Sequence, residues 1–210
     1  VVGLVGSEMC IRDSYKGWEL QTFFNGPEAK VWGYEIELQT SLRNFQVLPK
    51  FLQGMILSFN MSRLYDDWQV QTVVTESSSV LDPITGLITT TYTQDIFYRK
   101  TALSSLVPKT FNGVIGYDYK GFMCRLTANY QSDAIQSLGS KDDGKADVYT
   151  KSAFRLDFSA KQDIGKRVSL TLNIANITSE REREYLYEPQ RIRMDYHYGM
   201  TTEIGVRVKL

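Results

Sequence analysis

Phe122-Met123-Cys124-Arg125-Leu126-Thr127-Ala128-Asn129-Tyr130 alternates without a break. Phe122, Cys124, Leu126, Ala128 and Tyr130 fall on one side of an extended chain. Met123, Arg125, Thr127 and Asn129 fall on the other. Successive side chains of a strand point to opposite faces, so this stretch reads as a β-strand with one apolar and one polar face. Just before it, Lys120-Gly121 leaves almost no spare residues, and Phe111, Ile115, Tyr117 and Tyr119 oppose Asn112 and Asp118. Two alternating runs joined by a tight glycine turn predict an antiparallel hairpin.

The pattern continues in both directions. Phe154, Leu156, Phe158 and Ala160 alternate with Arg155, Asp157, Ser159 and Lys161. Val168, Leu170, Leu172 and Ile174 alternate with Ser169, Thr171 and Asn173, after a turn at Gly165-Lys166. Ile204, Val206, Val208 and Leu210 oppose Glu203, Arg207 and Lys209. Upstream, Trp32, Tyr34, Ile36 and Leu38 oppose Glu35 and Glu37, while Met55, Leu57, Phe59 and Met61 oppose Ser58 and Asn60. The expectation is an all-β antiparallel up-and-down meander of about ten strands, near 16–24, 30–43, 54–66, 88–103, 109–119, 122–132, 151–164, 167–176, 186–197 and 200–210, with boundary errors of about 2–4 residues. Residues 67–87 and 133–149 read as polar loops. Glu180-Arg181-Glu182-Arg183-Glu184 reads as a solvated turn or one short helical turn.

Composition narrows the function. The 210 residues carry 24 Lys plus Arg and 24 Asp plus Glu, a zero formal charge with no bulk drive toward nucleic acid. One His and two Cys exclude a Cys/His zinc cluster and a disulfide framework. His197 alone makes no metal site. Cys124, on the apolar face, lacks the neighbouring base of a nucleophile. Glu35 and Glu37 share a face but are expected to meet basic neighbours rather than to do acid–base work. The chain reads as no enzyme, with no cofactor. No apolar run is long enough for a transmembrane helix, yet a spanning β-strand needs only about 9–11 residues, half of them apolar.

The chain opens without Met and without a signal-peptide pattern, so its natural start is expected upstream. The string Val5 to Ser14 resembles a translated sequencing adapter. Residues 1–14 are therefore expected to be a non-native or disordered leader, and 15–210 a partial barrel.

A one-sided pattern fits a soluble sandwich, whose apolar face meets a second sheet, or an outer-membrane barrel, whose apolar face meets lipid. Roughly 20 residues per strand and loop, aromatic residues near strand ends, and charges on the polar face favour the barrel. The lumen-facing candidates are Glu35, Glu37, Arg125, Arg155, Asp157, Lys161, Glu203, Arg207 and Lys209. Loop 67–87 is a candidate ligand contact, with Tyr65 and Trp68 as stacking groups; the favoured reading places both in the interfacial belt.

PKTFNGVIGYDYKGFMCRLTANYQSD from Pro108, FRLDFSAKQDIGKRVSLTLNIANITSERE from Phe154 and the ending MTTEIGVRVKL resemble the C-terminal barrel region of TonB-dependent receptors. FFNGPEAKVWGYEIELQTSL and LPKFLQGMILSFNMSRLYDD resemble strands that precede it in the family. Leu210 departs from the family's usual aromatic ending. The resemblance implies about ten strands of a 22-stranded transmembrane β-barrel in the bacterial outer membrane. It implies outer-membrane lipid and a nutrient ligand as partners, of the siderophore, cobalamin or glycan class. It also implies the TonB complex, reached through N-terminal regions of a longer parent protein. The rival expectations are a porin or adhesin barrel and a soluble β-sandwich binding module.

Overall fold

Alternation becomes pairing in a computed structural model that describes residues 9–11, 20–22, 27–81, 83, 86, 88–139 and 144–209. Its strands are β1 (Met9–Ile11), β2 (Leu20–Thr22), β3 (Lys30–Ser41), β4 (Met55–Leu81), β5 (Ile88–Thr101), β6 (Lys109–Tyr119), β7 (Phe122–Gln131), β8 (Ala134–Ser137), β9 (Val148–Thr150), β10 (Ala153–Ile164), β11 (Val168–Ala175), β12 (Glu182–Leu186), β13 (Ile192–Tyr196) and β14 (Thr201–Val208). The strand pairs with a described register are antiparallel. The chain divides into two compact units: Val1–Val31, Asp66–Leu103 and Leu138–Ala146 form one; Trp32–Tyr65, Ser104–Ser137 and Asp147–Leu210 form the other.

The second unit holds the principal sheet, ordered β14-β11-β10-β7-β6-β4-β3. Its hairpins turn where the glycines predict. Lys120 and Gly121 have φ of 48° and 81°, the left-handed pair that a two-residue turn between right-twisted strands requires. Gly165, at φ 64°, opens the turn between β10 and β11. Strands β6, β7 and β10 have 11, 10 and 12 residues, enough for a tilted strand to cross a bilayer, which takes about 9–11. Strands β11 and β14 have 8 each.

Register carries the two-faced pattern across the whole sheet. Leu57 pairs with Ile115, Ile115 with Leu126, Leu126 with Phe158, and Phe158 with Ile174. One residue along, Thr127 pairs with Asp157, Arg125 with Ser159, and Asn173 with Glu203. Cys124, between Tyr117 and Ala160, lies on the apolar side. Among the described residues no second layer covers that side. Ile115 is 55% exposed, Leu126 39% and Ile204 77%. Among the described residues the buried apolar side chains are Val70, Ile135, Val148 and Tyr185, none of them on the apolar face of this sheet. The packed core that a sandwich builds between two sheets does not form on this face.

The two ends of the sheet differ. One end carries the tight turns at Lys120-Gly121 and Gly165. At the other, the connections 132–152 and 176–200 supply β8, β9, β12 and β13, a second sheet ordered β13-β12-β9-β8. Here the structure corrects the sequence reading three times. The segment expected as a polar loop at 133–149 contains β8 and β9. The Glu-Arg run is neither turn nor helix: it leads into β12, which ion pairs join to β13, Arg181 to Asp195 at 3.1 Å and Arg193 to Glu184 at 3.5 Å. The strand expected at 186–197 is shorter, β13 at Ile192–Tyr196, and a turn at 187–191 separates it from β12.

The first unit holds β1 paired with β2 and a long two-stranded ribbon. Strand β4 pairs with β6 as far as Arg63 and then with β5, from Trp68↔Thr101 to Leu81↔Ile88. The loop expected at 67–87 is thus mostly strand. Hydroxyl pairing between Ser79 and Thr90 at 3.0 Å and the Lys100–Asp67 ion pair at 2.8 Å join its strands. Apart from Met9–Ile11, residues 1–14 lie outside the described residues.

Candidate functional site

The polar face of the principal sheet meets the second sheet at the loop end. A cleft of about 620 Å³ lies there. Strands β6 and β7 contribute Thr110, Asn112, Asn129 and Gln131 through period-two alternation. Strand β10 contributes Arg155, and the second sheet contributes Gln136, Thr150, Glu182, Glu184 and Tyr196. Lys151 and Arg183 also line it.

The second sheet is anchored beside the cleft by a small buried knot. Asp133 accepts hydrogen bonds from the Tyr185 hydroxyl at 2.9 Å and from the Ser152 backbone N–H. The Tyr185 ring stacks on Tyr149, with centroids 5.1 Å apart and planes 5° from parallel. Asp147 is 1% exposed, and its carbonyl accepts from the Tyr187 N–H at 3.1 Å. Burial, and then the bond to Asp133, push the Tyr185 phenol well above the ordinary tyrosine range. The neutral phenol is the form the fold favours. Its stabilisation is therefore complete below the unfolded value of about 10 and is lost as pH rises above it. Tyr185→Phe should speed amide exchange across β9 and β12 about tenfold at neutral pH, as expected for one hydrogen bond to a charged acceptor worth roughly 1.5 kcal/mol. Wild type should approach the variant above about pH 10. Equal exchange at neutral pH would remove the knot from the account.

Charges lining the cleft are largely paired. Arg155 Nη2 donates to Glu182 Oε1 at 2.5 Å, Arg183 Nη2 to Glu180 Oε1 at 3.1 Å, and Arg193 Nη1 to Glu184 Oε2 at 3.5 Å. Lys151 has no ion-pair partner among the described residues. By contrast, Asn112, Gln131 and Gln136 are exposed and make no side-chain hydrogen bond among the described residues. Asn129 Nδ2 reaches Asp157 Oδ2 at 3.4 Å.

Of the nine residues the sequence put forward, Arg155 alone lines this cleft. Asp157, two residues further along β10, bonds to the lining residue Asn129 and also accepts the Asn176 N–H at 2.8 Å. Glu35 lies on the polar side of β3, where it accepts from Asn60 Nδ2 at 2.6 Å; Glu37, two residues along, shares that side. Arg125 forms a two-pronged pair with Asp118, at 2.5 and 2.9 Å. It crosses Gly116, where a Cβ would come 2.7 Å from its Cδ. Lys161 pairs with Asp163 at 2.9 Å. Glu203 and Arg207 stand opposite Asn173 and Ser169. Lys209 lies one residue past β14 and donates its N–H to the Arg167 carbonyl. These groups are spread along one face of the sheet rather than gathered at one point.

The remaining candidates have ordinary surroundings. His197 Nε2 lies 3.0 Å from Ser179 Oγ. Tyr65 stacks on Trp32, with centroids 6.0 Å apart, and Arg63 lies over its ring. Trp68 sits in β4 opposite Thr101. Among the described residues no three His, Cys, Asp or Glu side chains are gathered to hold a metal. Sequence spacing had no means of finding the cleft's amides, because they come from three separate strands, β6, β7 and β8, that only register and the second sheet bring together.

A family model described as TonB dependent receptor-like, beta-barrel matches residues 4–177, from β1 through β11. No curated protein and no solved structure matches the chain.

Proposed function

The chain belongs to the TonB-dependent receptor-like β-barrel family, and from that premise we propose that it forms part of the barrel wall of an outer-membrane nutrient receptor. The parent protein binds a scarce nutrient outside the cell, of the siderophore, cobalamin or glycan class, and imports it with energy delivered through TonB. The observation that carries this reading is the uncovered apolar face. Ile115, Leu126 and Ile204 have no partner layer among the described residues, and hydrocarbon is the solvent in which such a face is stable. The polar face, with Glu35, Glu37, Arg125, Arg155, Asp157, Lys161, Glu203 and Arg207, turns to the barrel interior; Lys209 extends the same alternation. Mid-strand charges require water or close partners there, and most of these have a partner at hydrogen-bonding distance.

Barrels of the outer membrane keep short turns on the periplasmic side and long loops outside. On that rule Lys120-Gly121 and Gly165 face the periplasm, and the second sheet faces the exterior. The test uses the parent gene expressed in cells, with Cys124 replaced by serine. Gln190→Cys, in the β12–β13 turn, should react with an impermeant maleimide on intact cells. Lys166→Cys should react only after the outer membrane is opened. Labelling in the reverse pattern would invert the topology, and recovery of the protein from the aqueous fraction would remove the membrane reading.

A further inference from the structure

We infer that the loop-end cleft takes an uncharged, hydroxyl-rich ligand of the oligosaccharide class, a reading that rests on the receptor function proposed above. Three observations carry it. The first is that the cleft's charges largely neutralise one another. Arg155 is held by Glu182 and Arg183 by Glu180, and Glu184 faces Arg193. Each guanidinium gives one N–H to its carboxylate, and drawing it toward an anionic chelate would leave that carboxylate unpaired. Lys151 is the one cation of the lining outside such a pair.

The second is the kind of group left over. Asn112, Gln131 and Gln136 line the cleft with carboxamides that bond to nothing else among the described residues. A carboxamide presents a donor and an acceptor side by side, whereas guanidinium only donates and carboxylate only accepts. Adjacent hydroxyls of a sugar also donate and accept, so one carboxamide can meet two of them at once. A bare anion would use only the donor half of each.

The third is placement. Gln136 belongs to the second sheet, which the Asp133–Tyr185 bond anchors, and Asn112 and Gln131 belong to the principal sheet. The amides are therefore carried on paired strands rather than on a free loop, and less ordering is needed on binding.

The test uses the parent receptor, purified in detergent from outer membranes. Titration calorimetry is run with a panel of neutral hexasaccharides (maltohexaose, laminarihexaose, xylohexaose and cellohexaose) and with ferric citrate as the anionic arm. At least one hexasaccharide should bind saturably. The double substitution Asn112→Ala/Gln131→Ala should weaken that binding at least tenfold, with the circular dichroism spectrum unchanged. Gln136→Ala, on the other wall, should weaken it independently. Ferric citrate binding that is lost in the same variants would overturn the neutral-ligand inference and leave the receptor function standing. Hexasaccharide binding indifferent to all three substitutions, or no binding by any member of the panel, would overturn the inference as well. The receptor function itself fails on a different readout, the location and labelling of the protein in cells.

Discussion

Ile115→Lys is expected to block assembly of the protein into membrane. Ile115 is near the middle of β6, flanked by Leu57 on β4 and Leu126 on β7, and its side chain is exposed on the apolar face. A lysine there places an ammonium against hydrocarbon, at a cost of about 2–4 kcal/mol near the bilayer midplane. A receptor of marginal stability loses most of its folded population for that amount. The neighbouring change Val114→Lys has the opposite expectation. Val114 pairs with Ser58 and Thr127 on the polar face, where water reaches the new charge. The folded fraction, read as the band that shifts on heating in a detergent gel, should collapse for position 115 and stay close to wild type for position 114. Equal tolerance at both positions would mean that neither face meets lipid.

Asn176→Ala should produce the other large effect, at the loop end. Asn176 has a φ of 57°, and its carboxamide closes the turn after β11. Its Nδ2 donates to the carbonyls of Glu180 and Gly199, each at 3.0 Å, and its Oδ1 accepts from the Glu180 N–H at 2.9 Å and from the Thr178 hydroxyl at 3.3 Å. One side chain thus ties together the start and the end of the connection that carries β12 and β13. Alanine removes all four bonds, at roughly 0.5–1.5 kcal/mol each. It also sits poorly in the left-handed region, which adds about 1–2 kcal/mol. The loss should total about 3 kcal/mol or more and should appear as fast amide exchange across 176–200. Asn176→Gly separates the two causes: it loses the same bonds but accepts the backbone angle, so it should be less damaging by about 1 kcal/mol. Equal damage from both would assign the whole effect to the side-chain bonds.

Much of the principal sheet was legible in the sequence because lipid and water impose a period of two on its strands. In β6, β7, β10 and β11, alternation located the strands and the glycines located their turns, so the register follows with little else to decide. The stretch 67–81 of β4 was not legible for the converse reason, although its partner β5 was expected at 88–103 and the start of β4 at 54–66. Ser77, Ser78 and Ser79 pair with Tyr92, Thr91 and Thr90. With hydroxyls on both sides there is no apolar face, and the periodic signal vanishes. The Glu-Arg run that enters β12 misled in the same way, since charges at every position look like a solvated turn until the cross-strand partners Asp195 and Arg193 are known. Arg155 was found because it sits on an alternating strand. Asn112 and Gln131 sit on such strands too, but an uncharged amide on a polar face carries no signal of its own. Asp133 and Asn176 act through bonds to residues far along the chain, which spacing does not encode.

The central claim is that the two faces of the sheet meet different solvents, and β7 tests it most directly. A nitroxide placed in turn at each position from 122 to 130 of the parent receptor in lipid vesicles reports its collisions with oxygen, which concentrates in hydrocarbon, and with a nickel chelate, which stays in water. The account predicts a strict alternation: oxygen contact at Phe122, Cys124, Leu126, Ala128 and Tyr130, and nickel contact at Met123, Arg125, Thr127 and Asn129. Uniform nickel access along the strand, or alternation in the opposite phase, would contradict it.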